Sequence, residues 1–64
     1  MDSSEILEKI AWAVGTLKTA TSTINIGEDI PGCDGPVEVS RGLAIKQINT
    51  LEELLKELRS ELAN

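Results

Sequence analysis

One repeating stripe of apolar side chains constrains this chain more than any other feature. Its six members recur at alternating spacings of four and three residues: Ala44, Ile48, Leu51, Leu55, Leu58 and Leu62. Such spacing places them along one side of an α-helix, in the heptad pattern of helices that pack on other helices. Ile45 and Leu54 widen this heptad stripe beyond what a two-stranded coiled coil needs. The stripe therefore predicts a helix with more than one neighbour.

The length of the chain favours assembly. At 64 residues it forms one domain at most, and a domain of this size buries only about 60% of its unfolded surface. Small domains usually gain stability from disulfides, a metal or oligomerisation. Cys33 is the only cysteine and histidine is absent, so neither an internal disulfide nor a zinc site of the usual ligands is expected. We therefore expect a homo-oligomer.

Charge argues against nucleic acid as a partner. Eleven acidic residues against six basic ones give a net charge of −5, which repels phosphate backbones. The basic residues are scattered among acids and form no patch. We expect no binding to duplex DNA or RNA.

The sequence predicts a cytoplasmic protein that does not enter membranes. The N-terminus has neither a basic segment nor a continuous apolar core, so we expect no signal peptide. No apolar run approaches the roughly 20 residues that span a bilayer. We expect Cys33 to be reduced.

The first predicted helix covers residues 3–24. Asp2, followed three residues later by Glu5, is typical of a helix N-cap. The predicted packing face recurs at helical spacing: Ile6, Ile10, Ala13, Val14, Leu17, Thr21 and Ile24. Small residues at Ala11, Ala13, Gly15 and Ala20 favour close helix contacts there, and the threonines after residue 18 weaken the helix towards its end.

Residues 25–35 contain three glycines and a proline and predict a long Gly/Pro loop. A short β-ribbon is the alternative, because 24–26 and 37–39 both alternate apolar and polar residues. The second predicted helix covers 36–63, with Gly35 as the cap, Pro36 at the first helical position and Glu38 in the first turn. Ser40 as a later cap is the alternative start. The early start extends the heptad pattern and is preferred.

Trp12 is the only aromatic residue, and its position falls on the polar side of the first helix. Tryptophan is enriched at binding hot spots and stacks well on flat rings. The position therefore favours either a subunit or partner interface or a stacking platform, against a partly exposed indole without a role. Thr16 and Thr19 lie on the same side and offer hydroxyl groups to a polar ligand, or only face solvent.

Ser40 and Arg41 follow a glycine-rich segment at a predicted helix start, where backbone N–H groups bind anions. Asp34 and Glu38 occupy the same region and oppose an anion. Because an unpaired buried guanidinium is very costly, Arg41 needs a partner: Glu38, an acidic residue of another subunit, or a phosphate.

The sequence predicts neither a metal site nor a cofactor. The acidic residues around the loop lack the spacing of an EF-hand. Cys33 has no cation close in sequence to activate its thiol, and no nucleotide-binding or nucleophile motif occurs. We therefore predict a non-enzyme.

Together these features predict an all-α antiparallel hairpin over residues 1–64 that assembles into a helical bundle. The expected oligomer core comprises Ile10, Leu17, Ile48, Leu51, Leu55, Leu58 and Leu62. The leading function is a small interaction protein, an inhibitor or adaptor, that presents Trp12 and the loop to a protein partner. One alternative is an oligomeric sponge that holds a small polar or anionic ligand, such as a signalling nucleotide, with Trp12, Thr16, Thr19, Ser40 and Arg41. Another is an assembly segment of a larger particle.

Overall fold

The computed structural model describes residues 2–63, which form two antiparallel α-helices and a short turn. Helix α1 spans Ser3–Glu28 and helix α2 spans Asp34–Ala63. The prediction of an all-helical hairpin is confirmed. The β-ribbon alternative is wrong, because both segments that would form it are helical and residues 2–63 contain no strand.

Helix α1 begins where the N-cap prediction places it. The Asp2 carboxylate accepts a hydrogen bond of 3.0 Å from the backbone N–H of Glu5. The backbone carbonyl of Asp2 accepts a second one, of 3.2 Å, from the N–H of Ile6. The carboxylate thereby satisfies one N–H group of the first turn that lacks a partner within the helix, and the bond from Ile6 is the first regular hydrogen bond of α1.

The end of α1 differs from the prediction. The helix continues through Glu28 instead of ending at residue 24. Threonine does not stop it, because the threonine hydroxyls donate to the carbonyls four residues earlier, as Thr21 does to Leu17 at 2.8 Å and Thr23 to Thr19 at 3.1 Å. These bonds satisfy the hydroxyls within the helix. The long loop predicted over 25–35 therefore shrinks to residues 29–33.

The turn is closed by backbone hydrogen bonds. The N–H of Asp29 donates to Ile26, and the N–H of Ile30 donates to Gly27, at 3.2 and 3.1 Å. Gly32 has a φ of +85°, a conformation that glycine adopts without a steric penalty. The preference for an early start of α2 over a start at Ser40 is confirmed, but the helix begins at Asp34, two residues before the predicted one. Gly35 is therefore inside the helix and is not its cap. Pro36 is the third helical residue, where its missing N–H costs nothing.

Each helix packs on the other through its a and d heptad positions. We call the surface that these positions form the inner interface. These a and d positions are the buried and half-buried residues that face the other helix. On α1 they are Ile6, Ile10, Ala13, Leu17, Ala20, Ile24 and Gly27. On α2 they are Val37, Ser40, Ala44, Gln47, Leu51, Leu54 and Leu58.

Only three of the six residues of the predicted heptad stripe pack against α1. Ala44, Leu51 and Leu58 occupy a positions of α2 and lie in the inner interface. The alternating members occupy e positions and are exposed: Ile48, Leu55 and Leu62. Leu54, expected beside the stripe, is a core residue with 7% of its surface exposed. One partner helix covers only the a and d positions, so the e positions lie beyond its reach. For the same reason Val14 and Thr21, predicted on the packing face of α1, are exposed.

The hairpin is a thin rod. Its Cα atoms span 51 × 14 × 13 Å and their radius of gyration is 14.7 Å, against about 11 Å for a compact domain of this length. A rod has more surface per residue than a sphere. This shape leaves large apolar side chains exposed along its sides.

Candidate interaction surface

An ion pair between the helices fixes which residues share one side of the hairpin. Arg41 Nη2 lies 3.6 Å from Glu28 Oε1, and both residues occupy e positions. Steps of seven residues away from this pair, backwards along α1 and forwards along α2, reach successive e positions at matching heights. These steps place Thr21 level with Ile48, Val14 with Leu55 and Leu7 with Leu62.

We call this side of the hairpin the outer face. It comprises Leu7, Val14, Thr21, Ile48, Leu55 and Leu62, with the ion pair between Glu28 and Arg41 at its turn end. Five of the six are large apolar residues, and all five are exposed. The outer face therefore carries exposed apolar residues at three successive levels, from both helices at two of them and from α2 alone at the level of Ile48.

A shallow hollow lies on the α2 side of the outer face, at the end that holds the termini. Its apolar lining comes from Leu55, Leu58 and Leu62. Charged side chains surround it: Glu52, Lys56 and Arg59. Leu58 belongs to the inner interface but is only half-buried. Part of its side chain is therefore exposed beside the outer face.

Trp12 lies on a different side of the rod. Its side chain is 79% exposed, and its position is about 160° around α1 from Val14. Beside it runs a groove between the helices with Ala13 and Leu54 at its base. The remaining lining residues are polar: Glu8, Lys9, Gln47 and Thr50. We call this the Trp12 surface.

Thr16 and Thr19 lie together with Trp12 along α1, beside Ala11 and Gly15. Each threonine hydroxyl already donates to the helix backbone, Thr16 to the carbonyl of Trp12 and Thr19 to that of Gly15, both at 3.1 Å. The structure therefore brings three predicted site residues together: Trp12, Thr16 and Thr19. The hydroxyl protons of the two threonines are already used in hydrogen bonds within the helix.

Ser40 and Arg41 lie elsewhere. Trp12 lines a groove with Leu54, and Leu54 is 14 residues beyond Ser40, which corresponds to about 20 Å along the helix axis. Ser40 is 8% exposed and belongs to the inner interface. A single hairpin does not bring the five predicted ligand-binding residues into one site.

Arg41 is paired within the chain. Its guanidinium lies 3.2 Å from Glu38 and 3.6 Å from Glu28, and about half of its side chain is exposed. The prediction that Glu38 is a partner of Arg41 is confirmed, whereas the expected burial of Arg41 is wrong. Asp29 and Asp34 line the same hollow at the turn. Carboxylates outnumber the single guanidinium there, so the turn end attracts cationic groups more than anions.

One close approach of the helices involves a residue that sequence analysis did not single out for packing. A Cβ atom built on Gly27 would lie 2.5 Å from Cγ2 of Val37, so only glycine fits without movement. The small residues expected to allow close contact divide into two groups. Ala13 and Ala20 are buried in the inner interface, whereas Ala11 and Gly15 are exposed. The heptad position of Gly27, in line with Ala13 and Ala20, was the available signal.

A comparison of the chain with models of protein families, with curated proteins and with solved structures found no match. Neither described helix contains a segment long and apolar enough to cross a membrane. Among residues 2–63, no three side chains of the types that bind metals come together in a cluster able to hold an ion.

Proposed function

We propose that this chain is a non-enzymatic interaction protein, an inhibitor or adaptor, that acts as a helical oligomer and binds a protein partner through the Trp12 surface. The observation that carries the proposal is the 79% exposure of Trp12 on a side of the rod away from the outer face. An oligomer formed through the outer face leaves Trp12 accessible. The two surfaces are thus able to serve different contacts.

The composition of the Trp12 surface supports a protein partner. Protein interfaces combine an apolar centre, often with an anchoring tryptophan, and a polar rim. Here the indole stands beside a groove with Ala13 and Leu54 at its base. Glu8, Lys9 and Thr50 stand around that groove and offer both signs of charge and a hydroxyl.

The sponge function has less support than protein binding. Its five residues do not converge within one hairpin, and Arg41 is already paired with two carboxylates. Such a site requires residues from at least two subunits. Native mass spectrometry of the freshly purified oligomer tests it, because a sequestered ligand adds a stoichiometric mass. Loss of that mass in Arg41→Ala, with the oligomer retained, would favour the sponge over the protein-binding function.

Site-specific photo-crosslinking tests the proposed partner contact. A photoreactive tryptophan analogue at position 12, which keeps the indole ring, is expected to capture one dominant foreign protein in cells that naturally contain the chain. An excess of unlabelled wild-type chain should compete with this capture, and an excess of Trp12→Ala should not. The matched control places the photoreactive residue at Val39, another exposed apolar position. Adducts at position 12 only to further copies of this chain, or identical capture from position 39, would contradict the proposal.

A further inference from the structure

We infer that the outer face binds a second copy of this chain, with the two turns at the same end, to form a two-fold symmetric four-helix bundle. This inference deepens the proposed function, because it specifies the oligomer through which that function would operate. In the bundle, α1 of each copy lies against α2 of the other. The surface area, the register of the outer face and its charges support this arrangement.

The surface area matches what a dimer needs. The hairpin exposes 4772 Å², whereas a compact monomer of 6.9 kDa exposes about 4,000 Å². The excess of about 800 Å² equals the area that each partner contributes to a standard stable interface. A second hairpin laid along the outer face would cover part of this excess and give a thicker, more compact bundle.

The register of the outer face is self-complementary. A two-fold axis along the rod sets each height of one copy against the same height of the other. Leu7 then meets Leu62 of the second copy, and Val14 meets Leu55 of the second copy, so apolar layers stack on apolar layers. Thr21 and Ile48 form the next layer by the same symmetry. Four-helix bundles bury stacked apolar layers of this kind at their centre.

Charge also favours turns at the same end. The ion pair between Glu28 and Arg41 then faces the same pair of the second copy in reversed order, which gives a ring of four alternating charges. At the edge of the interface, Lys18 and Glu52 occupy corresponding b positions at nearly the same height. Each Lys18 therefore faces Glu52 of the other copy, which fixes the register by attraction.

Turns at opposite ends fit less well. With the rods fully overlapped, α1 lies against α1 of the other copy, and Glu28 then opposes Leu7. A carboxylate pressed against leucine loses hydration without a partner. A slide that avoids this contact leaves the turn ends without a neighbour and reduces the buried area. The geometry thus selects the arrangement with the turns together.

A matched pair of leucine substitutions tests the surface. Leu55 on the outer face and Leu43 on the opposite side of α2 are 54% and 46% exposed. Leu55→Lys should weaken dimerisation by at least about a hundredfold, because it places two charges in one apolar layer. Leu43→Lys should leave the dimer unchanged. Sedimentation over a range of concentrations measures both, and circular dichroism confirms that both variants keep their helices. A monomeric wild-type chain, or equal effects of the two substitutions, would overturn the inference.

Spin labels test the arrangement. Pro31→Cys in a Cys33→Ser background places one label at each turn, and Ser4→Cys in the same background places one near each N-terminus. Electron paramagnetic resonance should give short distances between copies for both sites. Distances near the 51 Å length of the rod would mean that the turns lie at opposite ends, and would overturn the proposed arrangement. Trp12→Ala should keep the dimer. Loss of partner capture with the dimer retained separates the two surfaces, whereas loss of the dimer in this variant would overturn the assignment of dimerisation to the outer face.

Discussion

Gly27 and Val37 form a close contact between the two helices, which leaves no room for a side chain at position 27. A Cβ atom on Gly27 would lie 2.5 Å from Cγ2 of Val37, well inside the distance that two carbon atoms tolerate. The contact lies just before the turn, where α1 delivers the chain to α2. Glycine, usually unfavourable in a helix, is therefore the residue that lets the hairpin close at this point.

Gly27→Ala should destabilise the hairpin by about 1–3 kcal/mol, because the methyl group forces the helices apart. Gly15→Ala is the matched control. Apart from its two chain neighbours and the nearby backbone of its own helix, no atom of residues 2–63 lies within 4 Å of a Cβ placed on Gly15. The gain in helix propensity should therefore stabilise the fold by about 0.5–1 kcal/mol. Urea unfolding measures both changes. Equal stabilisation by the two substitutions would show that the Val37 side chain moves aside at little cost in free energy, which would contradict this prediction.

Leu54→Ala should cost about 2–5 kcal/mol, since it empties a core position and leaves a cavity. Leu62→Ala should change the free energy of unfolding of the single hairpin much less, because Leu62 is 72% exposed. The comparison requires a concentration at which the chain is monomeric. Similar losses for both variants would mean that the e positions stabilise the hairpin as much as the d positions do.

Arg41→Ala should reduce stability by less than about 1 kcal/mol, because half-exposed ion pairs are screened by solvent. Both of its acidic partners are at least half exposed. A double-mutant cycle with Glu28→Ala isolates the contact between the helices, and added salt should reduce its coupling energy. A large coupling that salt does not affect would contradict this account.

Trp12 provides its own fluorescence test, as the only tryptophan in the chain. Its emission should be that of a solvated indole. Dilution through the dissociation of the dimer should not shift it, because Trp12 lies away from the outer face. A red shift on dilution would instead place Trp12 in the subunit interface.

The fold was predictable from the sequence because its strongest signals are local. Asp2 marks the start of α1, and the breaker residues after Gly27 mark the connection. The end of α1 was missed because the intrinsic preference of threonine for other structures gives way when its hydroxyl bonds within the helix, as for Thr21 and Thr23.

The distribution of apolar residues between inner and outer surfaces was not predictable from spacing alone. Ala44, Ile48 and Leu51 form one stripe in sequence, yet Ala44 is buried and Ile48 is exposed. Helical periodicity shows which residues lie on one side, but not where the edge of a single partner helix falls. Candidate site residues were hardest to group, since the separation of Trp12 from Ser40 depends on how the helices align.

The placement of Asp2 and Ala63 at the same end of the rod has a mechanical consequence. Tension applied between Asp2 and Ala63 pulls the helices apart perpendicular to their axes. The contacts would therefore break one heptad at a time, from Ile6 and Leu58 towards Gly27, so the resisting force at any moment comes from a single layer. A hairpin of this shape therefore opens under small forces. A second copy along its outer face would add contacts at each layer and raise the force needed to open it.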